Sequence, residues 1–203
     1  MGSRIMHLII ARHIANRFPT ADRNAFLLGG IAPDAVSPKN LSHFYSGAET
    51  DYSRSIAYGQ FARKYSHYRN HPFILGYCTH LIADDIWLKG FYLPWLKNRM
   101  EADPGIFERY HADFRLLNAK LLQHYGCKKE LMKDLRCAGE MVELEEVTAE
   151  DVGRLLPYVQ KDMEFDEEDL RKPLRVFTLE QIIGYIETAA DQGFMYLQSK
   201  GLC

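Results

Sequence analysis

His80 and Asp84, in Gly76-Tyr-Cys-Thr-His-Leu-Ile-Ala-Asp84, lie four residues apart in a strongly apolar stretch. In a helix that spacing stacks both side chains on one face, one turn apart. An imidazole and a carboxylate aimed together from a rigid element make half of a metal site. Asp34, in Gly29-Gly-Ile-Ala-Pro-Asp34, and His43, in Leu41-Ser-His43-Phe-Tyr, are the candidates for the other half. The chemistry depends on whether these four side chains meet.

Taken singly, each has an ordinary explanation. Asp34 follows Pro33 just after an expected helix end, where an aspartate commonly caps a turn. Gly29 and Gly30, however, let the backbone approach a neighbour closely, which suits a ligand-bearing turn. His43 stands in an irregular loop and gains weight only from its companions. His80 and Asp84 could form a core hydrogen bond. Burying both in an apolar helix is costly without compensation, and a cation supplies it. His7 opens the first helix, with His13 on another face. Asp85 is turned away from Asp84 by one helical step and reads as a surface or supporting group. His111 and Asp113 are two apart and cannot share one helix face; a polar face is the simpler account. His67, His71 and His124 read as surface or capping residues, and Tyr58, Tyr65 and Tyr68 as packing.

The elements that must hold these residues are helical. Residues 5–17 read as a first helix, with Ile5, Leu8, Ile9 and Ala15 on its apolar side. A second runs over 21–31, ended by Gly29, Gly30 and Pro33. Residues 34–52 read as a loop and 53–68 as a third helix. Pro72 suits a first turn, so a fourth helix is expected from about His71 to Lys89. Residues 105–125 form another, closed by Gly126. Residues 128–146 are charged and read as helical or mobile. Thr148-Ala-Glu-Asp has the form of a capping box. Asp166 to Lys172 reads as a charged linker. Thr178-Leu-Glu-Gln181 opens a last helix to about Ser199, with Ile182, Ile183, Ile186 and Ala189 as core positions. With no alternating strand series and no internal repeat, the class is all-α, a bundle within one domain over 1–203.

Bulk numbers set limits. The 203 residues are 47% hydrophobic, enough for one sizeable core. A net charge of −2 argues against bulk nucleic-acid or anionic-membrane binding, and no duplex partner is expected. None of the four cysteines forms a Cys-x-x-Cys pair, so a thiolate zinc site is not expected. No stretch reaches the roughly 18–20 apolar residues of a membrane span. Scattered cysteines and no secretory pattern predict a cytoplasmic protein.

The order His7, Gly29-Gly-Ile-Ala-Pro-Asp34, Ser42-His43-Phe44, Gly76-Tyr-Cys-Thr-His80-Leu-Ile-Ala-Asp84 resembles the zinc-dependent phospholipase C family, itself related to single-strand-specific zinc nucleases. The resemblance covers roughly residues 5–90. It implies an all-helical fold and a zinc cluster. Asp34, His43, His80 and Asp84 would hold one metal, and Asp84 would bridge to another that also uses His7. The metals would bind phosphate oxygens and acidify a shared water, which would attack phosphorus in line. Asp34 would act as general base or water-orienting group, so that Asp34 and Asp84 carry the catalytic roles. The chain departs from the family's pattern after Asp84. No histidine follows shortly and no His-x-x-x-acid pair appears, which predicts one or two ions. His111, Asp113 or Asp85 would be the substitutes. Imidazole and carboxylate ligands also suit Fe, Mn or Ni; the resemblance favours Zn²⁺.

The expectation is therefore a metal-dependent phosphoester hydrolase acting on a small phosphoester or phospholipid-like substrate. One alternative is a nucleotide phosphohydrolase of the HD-domain kind, whose adjacent His-Asp pair this chain lacks. Another is a non-catalytic helical protein with a structural or relic metal site.

Overall fold

The computed structural model describes residues 2–17, 20–137 and 139–200, and is helical nearly throughout. Helices α1 (Arg4–Arg17) and α2 (Arg23–Gly29) lead into a 3₁₀ turn at Ala32–Ala35. A minimal ladder, β1 (Tyr45–Ser46) against β2 (Ser55–Ile56), precedes α3 (Tyr58–Lys64). After α4 (Pro72–Trp87) come a π-helical segment (Leu88–Leu96), α5 (Lys97–Ala102) and α6 (Gly105–His124). Helices α7 (Lys128–Asp134), α8 (Ala149–Asp162), α9 (Glu167–Arg171) and α10 (Leu179–Ser199) complete the order.

Helix α4 is the centre. Pro72 sets its first turn, and the His71 side chain accepts the Phe73 amide at 3.3 Å. Of its residues only Pro72 and Ile86 escape burial. A helix buried all round has no solvent face and must be surrounded; α2, α10 and α1 pack against it. Each fully buried aliphatic side chain, such as Leu81, contributes about 1.5–3 kcal/mol. Phe61 stacks on Tyr77 with ring centroids 4.4 Å apart, and Trp87 gathers Phe91, Phe114, Phe177 and Tyr185.

The contact of α2 with α4 is made by glycine. A Cβ on Gly29 would lie 2.0 Å from the Phe73 carbonyl oxygen, and one on Gly76 would lie 2.0 Å from that of Phe26. Only bare backbone fits on both sides of this crossing.

Several expected boundaries shift. Helix α4 does not stop near Lys89: wide π turns carry it past Pro94 into α5. Proline lacks the N–H an α-turn would use and clashes with the carbonyl four residues before it, so the helix widens there. The expected third helix begins only at Tyr58, because Ser55 and Ile56 pair with the loop strand. Residues 128–146 are helical only to Asp134, and the irregular stretch beyond buries Val142 and Leu144. The charged segment from Asp166 is mostly α9, since the Asp166 carboxylate accepts the Asp169 amide at 2.9 Å. The capping boxes Thr148/Asp151 and Thr178/Gln181 open α8 and α10 where their sequences place them. Among the described residues no helix is long and apolar enough to cross a membrane.

Candidate metal centre

Three elements deliver the five singled-out side chains to one point. α1 supplies His7, α4 supplies His80 and Asp84, and the turn and loop after α2 supply Asp34 and His43. His7, His80 and Asp34 place ligand atoms within 4.8 Å of one another, as do His43, His80 and Asp84. His43 Nε2 lies 3.4 Å from Asp84 Oδ2, 3.6 Å from Asp34 Oδ1 and 3.4 Å from His80 Nε2. His80 Nε2 is 3.6 Å from Asp84 Oδ2. His7 stacks on His80 with ring centroids 3.7 Å apart. His7, His43, His80 and Asp84 are each at most 1% exposed.

The partners of the other ring nitrogens assign the tautomers. His80 Nδ1 donates to the Gly30 carbonyl at 2.8 Å. Ser42 Oγ donates to the Pro33 carbonyl at 2.9 Å, so it accepts from His43 Nδ1 at 3.0 Å. Both imidazoles therefore turn a bare Nε2 lone pair toward the two carboxylates. Fixing the far nitrogen on a carbonyl or hydroxyl is how ligating histidines are oriented. Tyr77 donates to the Ser42 carbonyl at 2.7 Å, and Phe44, at φ +51°, turns the chain immediately after His43.

Protonation states agree with this geometry. Burial and the neighbouring His80 bring His7 down to about 4, and burial lowers His43. Burial acts to raise Asp34, yet the His43 contact and the Lys39 ammonium hold it well below the usual carboxylate range. Asp84 is likewise held low against burial, with the His7 and His80 contacts among the causes. Neutral imidazoles and ionised carboxylates are the forms that bind metal.

The residues fit a zinc ion. Both ring nitrogens of His7 are buried without a hydrogen-bond partner, although Nε2 lies 3.3 Å from Asp84 Oδ1. Orphaned buried nitrogens are costly, and a cation satisfies them. Imidazole nitrogens and carboxylate oxygens face one another across 3.4–3.6 Å, an arrangement in which a cation can replace a proton as the bridge. Mixed nitrogen and oxygen donors suit zinc.

Of the five residues, Asp34 lines a cleft of about 860 Å³. The N-terminal part of α1 and the Lys39 loop flank it. His111 and Asn118 of α6, and Lys161 and Asp166 from the α8–α9 region, line it too. The candidate substitutes do not join the centre. Asp113 is buried and accepts the backbone amides of Arg175, Val176 and Phe177 at 2.7–3.1 Å. It is not part of a polar face, because a carboxylate here closes the turn before α10. Asp85 is buried rather than on the surface, and its Oδ2 holds Lys89 at 2.6 Å. His111 is exposed and reaches only the cleft wall. Sequence reasoning missed Lys39, the supporting hydroxyl of Ser42 and the carbonyl of Gly30. The only trace of them is position: Ser42 and Gly30 flank residues already singled out.

Converging buried imidazoles and carboxylates, one of which lines a cleft, define a candidate metal centre on an all-α scaffold. The zinc dependent phospholipase C family matches residues 6–149. The chain belongs to that family, and zinc is the metal the family implies. The match takes in all five residues of the centre, whereas most of α8 and all of α9 and α10 lie beyond it. No curated protein and no solved structure matches the chain significantly.

Proposed function

We propose that the chain is a zinc-dependent phosphoester hydrolase whose metal ligands are His7, Asp34, His43, His80 and Asp84, holding one or two ions. The observation that carries this reading is the pair of bare Nε2 atoms, from His43 and His80, turned toward buried carboxylates, one of which lines an open cleft. Zinc held there supplies positive charge to phosphate oxygens and makes water more acidic. The chain's own residues do the rest. Asp34 sits where buried centre meets cleft, so its carboxylate can accept a hydrogen bond from the attacking water and orient it. Asp84 lies within 3.3–3.6 Å of three imidazoles and holds them in one constellation. The cleft admits a small phosphoester or a phospholipid headgroup. Its opening at Asp34 favours catalysis over a closed structural site.

The test is elemental analysis beside turnover. Wild-type protein is expected to carry one or two zinc ions per chain and to cleave a generic phosphodiester. Asp84→Ala and His80→Ala should lose the metal and at least about 100-fold in turnover while the helical spectrum persists. Equal turnover in wild type and both variants would sink the reading.

A further inference from the structure

Lys39 touches the centre without belonging to its ligand set. Its ammonium contacts Asp34 Oδ1, while the side chain is still 47% exposed and lines the cleft. Its backbone, by contrast, is pinned beside a ligand. The Lys39 carbonyl accepts the His43 amide at 3.0 Å and the Ser42 hydroxyl at 3.2 Å. A fixed Cα with a four-carbon, solvent-open stem can swing its charge without disturbing the residues below it.

We propose that Lys39 is a phosphate-binding residue, moving from Asp34 to a non-bridging oxygen of the substrate's phosphoryl group once the centre holds metal. A divalent cation on Asp34 neutralises the charge that Lys39 pairs with and repels the ammonium. A substrate phosphoryl group in the cleft then gives it another anion to pair with. Arg4 lines the same cleft but is engaged by Asp162 at 2.7 Å. Arg115 and Lys161 line it as well, but of these four cations Lys39 is the one in contact with a carboxylate of the centre. A lysine suits this task because its ammonium is a compact point charge on phosphate.

The inference rests on the phosphoester reading, and the experiment separates the two. Zinc-loaded wild type, Lys39→Met and Lys39→Arg are titrated with inorganic phosphate by calorimetry, with zinc content measured on each. Lys39→Met should keep its zinc, bind phosphate about tenfold more weakly, and lose about 10- to 100-fold in kcat/KM on a soluble phosphodiester. Lys39→Arg should recover most of both. Unchanged phosphate affinity in Lys39→Met overturns the assignment. Loss of zinc in that variant overturns it too, since Lys39 would then serve the metal ligands, and so does a wild type that binds no phosphate. A wild type that binds phosphate through Lys39 but cleaves no phosphodiester keeps the assignment and removes the hydrolase reading.

Discussion

Asp84 and Asp113 are both aspartates on long helices, each at most 1% exposed, yet they are satisfied in opposite ways. Asp113 receives three backbone amides, from Arg175, Val176 and Phe177, in fixed positions. Asp84 is ringed by the imidazoles of His7, His43 and His80, two of which turn a lone pair toward it. A carboxylate closed by amide donors is finished as a structural device. One that faces imidazole nitrogens, with the Gly2 amide at 3.4 Å among its donors, is the kind of group a cation can share. Burial alone does not distinguish a ligand from a brace; the kind of partner does.

Mutation and chelation test this contrast. The largest effect on stability should come from Asp113→Ala. Three amides lose their acceptor, so unfolding in urea should become easier by about 3 kcal/mol, with zinc content of the folded fraction unchanged. If Asp113→Ala instead strips the metal, the two carboxylates are not different in kind. Next comes chelation. Removing zinc should cost wild type about 2.7 kcal/mol if the free ion had stood a hundredfold above its dissociation constant, seen as a lower Tm. The same treatment should leave the Tm of Asp84→Ala where it was. A smaller effect is expected from Ser42→Ala, which frees His43 Nδ1 from its acceptor. Zinc affinity should fall about tenfold with little change in Tm, measured by competition with a chromophoric chelator.

Much of this was legible in the chain. The four-residue spacing of His80 and Asp84 needs only helical geometry, and Thr178 with Gln181 marks the start of α10 by local hydrogen bonding. Signals that act within one turn survive in sequence. What escaped depends on distant partners or on backbone. Asp113 closes against residues 62–64 positions away, and nothing in Tyr110-His-Ala-Asp-Phe announces them. The Gly30 carbonyl that orients His80 carries no side-chain signature. The π-helical passage through Pro94 defeats a rule that holds for α-turns. The charges of Asp166–Lys172 look like a linker until Asp166 is seen capping α9.

The glycine crossing of α2 and α4 has a bearing on the order of events during folding. His80 receives its orienting carbonyl from Gly30, and that carbonyl is within reach only because Gly29 and Gly76 let the two backbones touch. Within α4 alone His80 and Asp84 share a face, whereas Asp34 and His43 come from the turn and loop after α2 and the orienting carbonyl from Gly30. A nascent chain therefore offers zinc two loose ligands and a docked one offers a set. Metal uptake by the proposed ligand set would then require this docking, and a single methyl group at Gly29 or Gly76 would hinder both, since its Cβ meets backbone at 2.0 Å.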